Sequence, residues 1–362
     1  MNVFYNADTH SALQKNAPHA DVLRADVPHS GITYIPSKAY VSCSLCPRNC
    51  GVNRAAGATG FCNESAELKI ASACLHFGEE PPVTARGGSG TIFISGCNLG
   101  CSFCQNYQIS REGMGRAVST DEFVSICSAL ESAGAENINI VTGSHAIPAI
   151  AEGIGAAKKA GLGIPVCWNS SAYESLEALE MLAGLADIWL PDLKTLNSAM
   201  SLSLFGIKDY GKTAKSAIKR MIELSALQFT DSTPEKMLSG VIIRHLVLPG
   251  CLQNTRQVLD WLKEHADGKA CISLMSQYTP VRTHTGRDKN RTQPVFPDRF
   301  INEKEFDQIQ SLIFEYDFEH LFYQELENDD SWLPDFNRTQ PFSNALAKPL
   351  WHWKNGFTNR QL

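Results

Sequence analysis

Beyond Gly90 the chain alternates short β-type apolar runs with stretches whose apolar residues recur at helical spacing. The runs are Thr91 to Ser95, Asn137 to Val141, Ile164 to Trp168, Asp187 to Pro191, Val241 to Val247 and Ala270 to Ser276. The helical faces include Phe123/Ile126/Cys127/Leu130, Ile147/Ile150/Ile154, Leu176/Leu179/Leu182, Ile218/Met221/Ile222, Val258/Leu259/Leu262 and Phe306/Ile309/Leu312. Ser119 with Glu122 predicts a capping box at the start of the first of these helices, and Gly134 marks its end. Six strand-and-helix pairs in this order predict parallel strands with right-handed crossovers, in an open doubly wound sheet or a full or partial barrel. Either architecture places its functional site at the C-terminal ends of the strands.

The flanks read differently. Residues 1–42 are polar without sustained periodicity and read as an N-terminal arm. Residues 43–90 are rich in Cys, Gly and Asn, and so small a segment needs something other than a core to hold it. The barrel unit is expected over 91–326, followed by an extension over 327–362. That extension carries Trp332, Phe336, Phe342, Trp351, Trp353 and Phe357, too aromatic for a free tail, and is expected to cover the barrel.

Composition narrows the function classes. The 362 residues are 43% hydrophobic and 19% charged, as in an ordinary globular protein. A net charge of -6 offers no general attraction to phosphate backbones or anionic lipid, so neither a nucleic-acid nor a membrane partner is expected. The apolar stretch Val241 to Gly250 is interrupted by Arg244 and falls far short of a membrane span. The first residues show neither a secretion nor a transit pattern, so a cytoplasmic location is expected. Cysteines there stay reduced, and clustered ones serve as metal or cluster ligands. Eight of the 12 fall between Cys43 and Cys104.

The chemistry concentrates in GTIFISGCNLGCSFCQNYQIS, which sets Cys97, Cys101 and Cys104 in a C-x3-C-x2-C spacing on the loop after the first run. Three thiolates can hold three irons of a [4Fe–4S] cubane and leave the fourth open, whereas structural zinc wants four protein ligands. The rival reading is a non-catalytic scaffold with zinc in both cysteine groups and a barrel that binds a partner. With Phe103 before its last cysteine, the motif resembles the signature of the radical S-adenosylmethionine (SAM) enzymes. GSGTIFISGCNLGCSFCQNYQIS and RHLVLPG resemble the branch related to pyruvate formate-lyase activating enzyme, over a span from about Cys43 to Trp353.

The resemblance implies an α/β fold with a partial (β/α)6 barrel. It also implies SAM chelated to the open iron and cleaved by one electron to a 5′-deoxyadenosyl radical that abstracts hydrogen. The activity would be that of an oxidoreductase, with a reductant such as flavodoxin or ferredoxin, and with a protein or peptide among the candidate substrates. The SAM-binding candidates begin with Phe103. Thr142, Gly143 and Ser144 stand where many relatives carry Gly-Gly-Glu. No carboxylate is present there, leaving backbone carbonyls, the two hydroxyls or His145 to serve, or a plain turn capping the next helix. Asn169, Ser170 and Ser171 follow the third run as partners for the ribose hydroxyls or the carboxylate of SAM, with Ser170 equally a helix cap. Asp192 and Lys194 lie in PDLK, as SAM-facing groups or as a rim ion pair. Arg244 is the candidate from the fifth run, where His245 must point to the opposite face. After the sixth run, Arg282, His284, Arg287, Lys289, Arg291 and Arg299 form either a clamp for an acidic substrate or a solvated loop.

A second group, CSLCPRNCGVNRAAGATGFC, presents Cys43, Cys46, Cys50 and Cys62 as ligands of a second metal centre, zinc or an auxiliary iron–sulfur cluster. Cys74 is an alternative ligand, and the neighbouring Glu79 and Glu80 are either a substrate contact or a solvated turn. Cys127, Cys167, Cys251 and Cys271 read as small apolar fillers.

Overall fold

The protein is described by a computed structural model over residues 3–5, 36–281, 296–327, 330, 332–343 and 345–358. The basic loop from Arg282 to Arg291 lies outside the described residues, while Arg299 pairs with Glu305 at 2.7 and 2.8 Å, so its charge is spent on the start of the following helix. The strands are β1 (Val3–Tyr5), β2 (Lys69–His76), β3 (Ser89–Ile94), β4 (Arg116–Ala117), β5 (Ile138–Val141), β6 (Val166–Ser170) and β7 (Ile188–Pro191). They continue as β8 (Gln228–Phe229), β9 (Met237–Leu246), β10 (Cys271–Met275), β11 (Leu321–Gln324), β12 (Ala347–His352) and β13 (Gly356–Phe357). The helices are α1 (Pro36–Val41), α2 (Pro81–Thr84), α3 (Tyr107–Ser110), α4 (Thr120–Ser132) and α5 (Ile147–Lys159). After them come α6 (Leu176–Glu180), α7 (Ser198–Phe205), α8 (Tyr210–Leu224), α9 (Leu252–His265) and α10 (Glu303–Tyr316).

All strands join one sheet in the order β1-β11-β10-β9-β7-β6-β5-β3-β2-β12-β13, with β4 on β2 and β8 on β9. The six expected runs are β3, β5, β6, β7, β9 and β10, and each pairs in parallel with the next. The result is an α/β fold with a mostly parallel open sheet, as a partial barrel requires. A seventh parallel strand, β11, extends it beside β10, and β1 closes that edge antiparallel to β11. On the other flank β2 runs antiparallel to β3, and β12 antiparallel to β2. Strands β5, β6 and β7 are buried at every residue, as expected when helices cover one face and the barrel interior fills the other.

Local signals set the helix starts. The Ser119 side chain accepts from the Glu122 N–H at 3.1 Å, but the return half of the expected capping box is missing. The Glu122 carboxylate instead binds Arg116 and accepts from Trp351 Nε1 at 3.0 Å, tying α4 to the C-terminal extension. A complete capping box forms at Asn302 and Glu305, opening α10.

The extension thus enters the sheet. Trp351 is fully buried, and Phe336 and Phe342 pack on Phe93 of β3 with ring centroids 5.4 and 5.2 Å away. Cys74 is buried in that same cluster beside Ala71, Phe93 and Phe336, and is not among the residues lining the cavity of the N-terminal cysteines. Among the described residues no helix is long and apolar enough to cross a membrane.

Candidate functional site

A cavity of about 300 Å³ opens at the C-terminal ends of the parallel strands, and Cys97, Cys101 and Cys104 line it together with Phe103. The three cysteines sit on the turn between β3 and α3. Gly100 makes that turn possible: its φ is +71°, and the Arg111 guanidinium occupies the place a Cβ would take. The Leu99 N–H lies 3.4 Å from Cys97 Sγ, and Ser110 Oγ 3.3 Å from Cys104 Sγ. Such contacts suit sulfurs that carry charge, and hydrogen bonds to the sulfurs are one of the means by which a protein tunes an iron–sulfur cluster. Burial pushes the Cys101 thiol up to about 12, with Lys194 opposing, so loading metal there releases a proton.

Across the cavity a charged network is centred on Arg244. Its Nε donates to Asp192 Oδ1 at 2.8 Å, its Nη1 to Glu79 Oε2 at 3.1 Å, and its Nη2 to Asn169 Oδ1. Lys194 Nζ donates to the other Asp192 oxygen at 2.7 Å. Burial works against the Asp192 charge, but Arg244 and Lys194 outweigh it and hold the carboxyl below its usual range. Glu79 is pushed above its usual range by burial despite Arg244, and Glu80 likewise. Asp192, Lys194, Arg244, Asn169 and Ser170 all line the cavity. The ion pair considered from the sequence is therefore formed, and formed at the cavity wall. His245 points away, with Nδ1 2.7 Å from the Leu193 carbonyl and Nε2 3.1 Å from Thr255 Oγ1.

The Thr142–Ser144 turn divides. Thr142 lines the cavity with φ at +64°, a strained conformation for a β-branched residue. Gly143 and Ser144 do not line it. A Cβ on Gly143 would meet Ile150 and Trp168 at 2.6 and 2.7 Å, so this glycine serves packing. Ser144 Oγ donates to Glu174 Oε1 at 2.8 Å, where Trp168 Nε1 also donates at 3.0 Å. The buried carboxylate behind this turn is therefore Glu174, supplied from beyond β6, and nothing local in the sequence announced it.

The remaining cavity wall comes partly from elements the sequence did not tie to the site. His76 of β2 lies 3.8 Å from Glu79, and burial with the nearby Arg244 lowers it to about 4, so it is neutral at physiological pH. Trp332, Pro334 and Phe342 of the extension close the rim. Gln108 of α3, four residues after Cys104, latches this strap: Nε2 donates to Asp335 at 3.1 Å and Oε1 accepts from Phe336 N at 2.7 Å.

The N-terminal cysteines gather elsewhere. Cys43, Cys46, Cys50 and Cys62 line one small cavity together with Arg48, Arg54 and His145. Arg54 Nη1 points at Cys43 Sγ across 3.7 Å, and the Phe61 N–H at Cys50 Sγ across 3.4 Å. Burial, reinforced by Cys62 and Cys43, raises Cys46 to about 11. Among the described residues no three Cys, His, Asp or Glu side chains, in this group or in the Cys97/Cys101/Cys104 triad, are already drawn together around one metal-ion position.

Residues 91–239 match the Radical SAM superfamily model. An uncharacterized protein of Methanocaldococcus jannaschii is 30% identical over 254 residues, which cover 68% of each chain. The chain belongs to the radical SAM superfamily, whose members imply a [4Fe–4S] cluster and SAM. Among solved structures it is similar to Streptococcus suis SuiB bound to S-adenosylmethionine, at 14% identity and a TM-score of 0.45, covering 64% of this chain. The match spans about half of SuiB, 48% of its length. It is also similar to a domain of pyruvate-formate lyase-activating enzyme from Bacteroides vulgatus, at 12% identity and a TM-score of 0.33, covering 49% of this chain and 89% of that one.

Proposed function

We propose that this protein is a radical SAM enzyme in which Cys97, Cys101 and Cys104 hold a [4Fe–4S] cluster. The observation that carries the reading is that these three thiols share one cavity with Asp192, Lys194, Arg244 and Asn169 at the C-terminal ends of the strands. When bound, cluster and SAM supply the hard chemistry, an electron that splits the sulfonium and a 5′-deoxyadenosyl radical that takes hydrogen from substrate. The chain's own groups bind and orient. Lys194 and Arg244 offer cations to a carboxylate, and Asp192, Thr142 and the backbone at the strand ends offer acceptors to an ammonium or ribose. The aromatic rim of Trp332 and Phe342 keeps water from the reacting centre. An activating or modifying role toward a protein or peptide, with flavodoxin or ferredoxin as electron donor, is the form of the activity the family resemblance favours.

The same reading assigns Cys43, Cys46, Cys50 and Cys62 to a second metal centre that closes on metal uptake. Its support is four thiols and two N–H donors directed at sulfur around one cavity. Four thiols suit either a closed structural zinc or an auxiliary iron–sulfur cluster.

The test is anaerobic reconstitution, reduction with dithionite and addition of SAM. Wild-type protein is expected to yield 5′-deoxyadenosine and methionine, and Cys101→Ala to yield neither. Equal product from Cys101→Ala, or zinc alone in both cysteine groups, defeats the proposal.

A further inference from the structure

We infer that Arg48 is a positioning residue through which the N-terminal cysteine module holds the cluster turn in shape. This rests on the reading that Cys97, Cys101 and Cys104 carry the cluster.

Arg48 lies between Cys46 and Cys50 in sequence, yet its side chain is spent on the other cysteine group. Nε donates to the Asn98 carbonyl at 2.8 Å and Nη2 to the Leu99 carbonyl at 2.8 Å, two groups of the short turn between Cys97 and Cys101. Nη2 also reaches the Phe205 carbonyl at 2.9 Å, at the end of α7. The guanidinium lies 3.5 Å over the Phe61 ring, next to Cys62, so its own module fixes it from both ends. Arg111, which fills the space beside Gly100, lies 4.7 Å from that same ring.

The backbones touch as well. Gly96, immediately before Cys97, has φ at +84°, and a Cβ there would fall 2.9 Å from the Cys62 carbonyl and 2.4 Å from Glu64 Cγ. Arg54 Nη1 donates to the His145 carbonyl at 2.6 Å, pinning the module to the turn after β5. The two cysteine groups thus share a wall, which Arg48 crosses with short hydrogen bonds to the Asn98 and Leu99 carbonyls and Arg111 crosses in the other direction with a longer one, 3.5 Å, to the Phe61 carbonyl.

The geometry demands arginine. Two carbonyls on adjacent residues need a planar fork of N–H donors, and a lysine ammonium cannot reproduce it. A fixed cation beside a thiolate-bound cluster also favours its reduced form, because reduction adds negative charge. Arg48 therefore acts on the cluster twice, through the shape of the turn and through charge.

The experiment compares wild type, Arg48→Lys and Arg48→Met, all full length and reconstituted anaerobically, with Arg220→Met, a partly exposed arginine paired with Glu180 and Glu223, as control. The readouts are iron release to a chelator and the potential and electron paramagnetic resonance signal of the cluster that responds to SAM. Both Arg48 variants are expected to release iron on the order of tenfold faster than wild type. Arg48→Met is expected to shift the potential negative, with Arg48→Lys in between, and Arg220→Met is expected to change nothing. Wild-type release, potential and g values in both Arg48 variants would overturn the inference and leave the cluster assignment standing. Failure of wild type to take up a cluster would instead overturn the assignment itself. Should Arg48→Met fail to fold, Arg48→Lys carries the test, since it keeps charge and length and removes only the fork.

Discussion

Replacing Arg244 by Met tests whether the cavity network is a set of mutually dependent charges. The side chain is 14% exposed and faces carboxylates of 9% (Glu79) and 18% (Asp192) exposure, so the pairs are only weakly screened. Removing the cation leaves Asp192 to Lys194 alone and takes from Glu79 and Glu80 the charge that opposes their burial, leaving Glu79 the Asn139 amide at 3.2 Å. Breaking a buried pair on one side costs about 3–5 kcal/mol. With an unfolding entropy of roughly 0.8 kcal/mol/K for 362 residues, this lowers the melting temperature by about 5 °C. The sign with pH follows from Glu79 and Glu80, which burial already raises above 4.5. An acid raised in the folded state contributes stability that is present below its unfolded value and lost as pH rises through the folded one. Without Arg244 both rise further, so the deficit widens between pH 5 and pH 8. Scanning calorimetry of metal-free protein at both pH values measures this, and adding Glu79→Gln to the variant is expected to restore about half of the loss. A variant melting within about 1 °C of wild type at pH 8, with no dependence on pH, would refute the reasoning.

Other outcomes follow from particular contacts. Gln108→Ala leaves the Phe336 N–H without its acceptor, costing about 1–3 kcal/mol and speeding hydrogen exchange over 332–343 while leaving α4 unchanged. His76 and His245, both lowered to about 4 chiefly by burial, favour folding only while neutral. Stability is therefore expected to fall as pH drops from 6.5 toward 4, by up to about 3 kcal/mol for each, and His245→Gln should flatten that slope. The triple variant lacking Cys97, Cys101 and Cys104 is expected to retain tightly bound zinc, or iron with sulfide, at Cys43, Cys46, Cys50 and Cys62, and spectroscopy identifies which. Loss of all metal from it by elemental analysis, with residues 43–62 still protected from proteolysis, would remove the second centre.

What the sequence revealed follows from where each signal resides. The six parallel strands were legible because each is a short apolar run bounded by turn residues and followed by a helical face. Strand β2 was hidden because its centre, Ala71 to Cys74, is small residues without clear alternation and one of its partners, β12, lies some 270 residues along the chain. Strand β11 has only four residues, too few for periodicity to register. At the site, spacing alone exposed the cysteine triad, and charges within an apolar strand exposed Arg244. Arg48 escaped notice because its partners are backbone carbonyls 50, 51 and 157 residues away, and carbonyls leave no mark in a sequence. Ser144 misled for the same kind of reason, since its distant partner Glu174 decides which way the hydroxyl turns.

The central claim is that the cysteine triad leaves one iron open for SAM. Electron paramagnetic resonance of the reduced wild-type protein, recorded before and after adding SAM, addresses it directly. The cluster signal that disappears in the Cys97/Cys101/Cys104 triple variant is expected to change its g values when SAM is added. A signal from that cluster that stays unchanged at saturating SAM would contradict it.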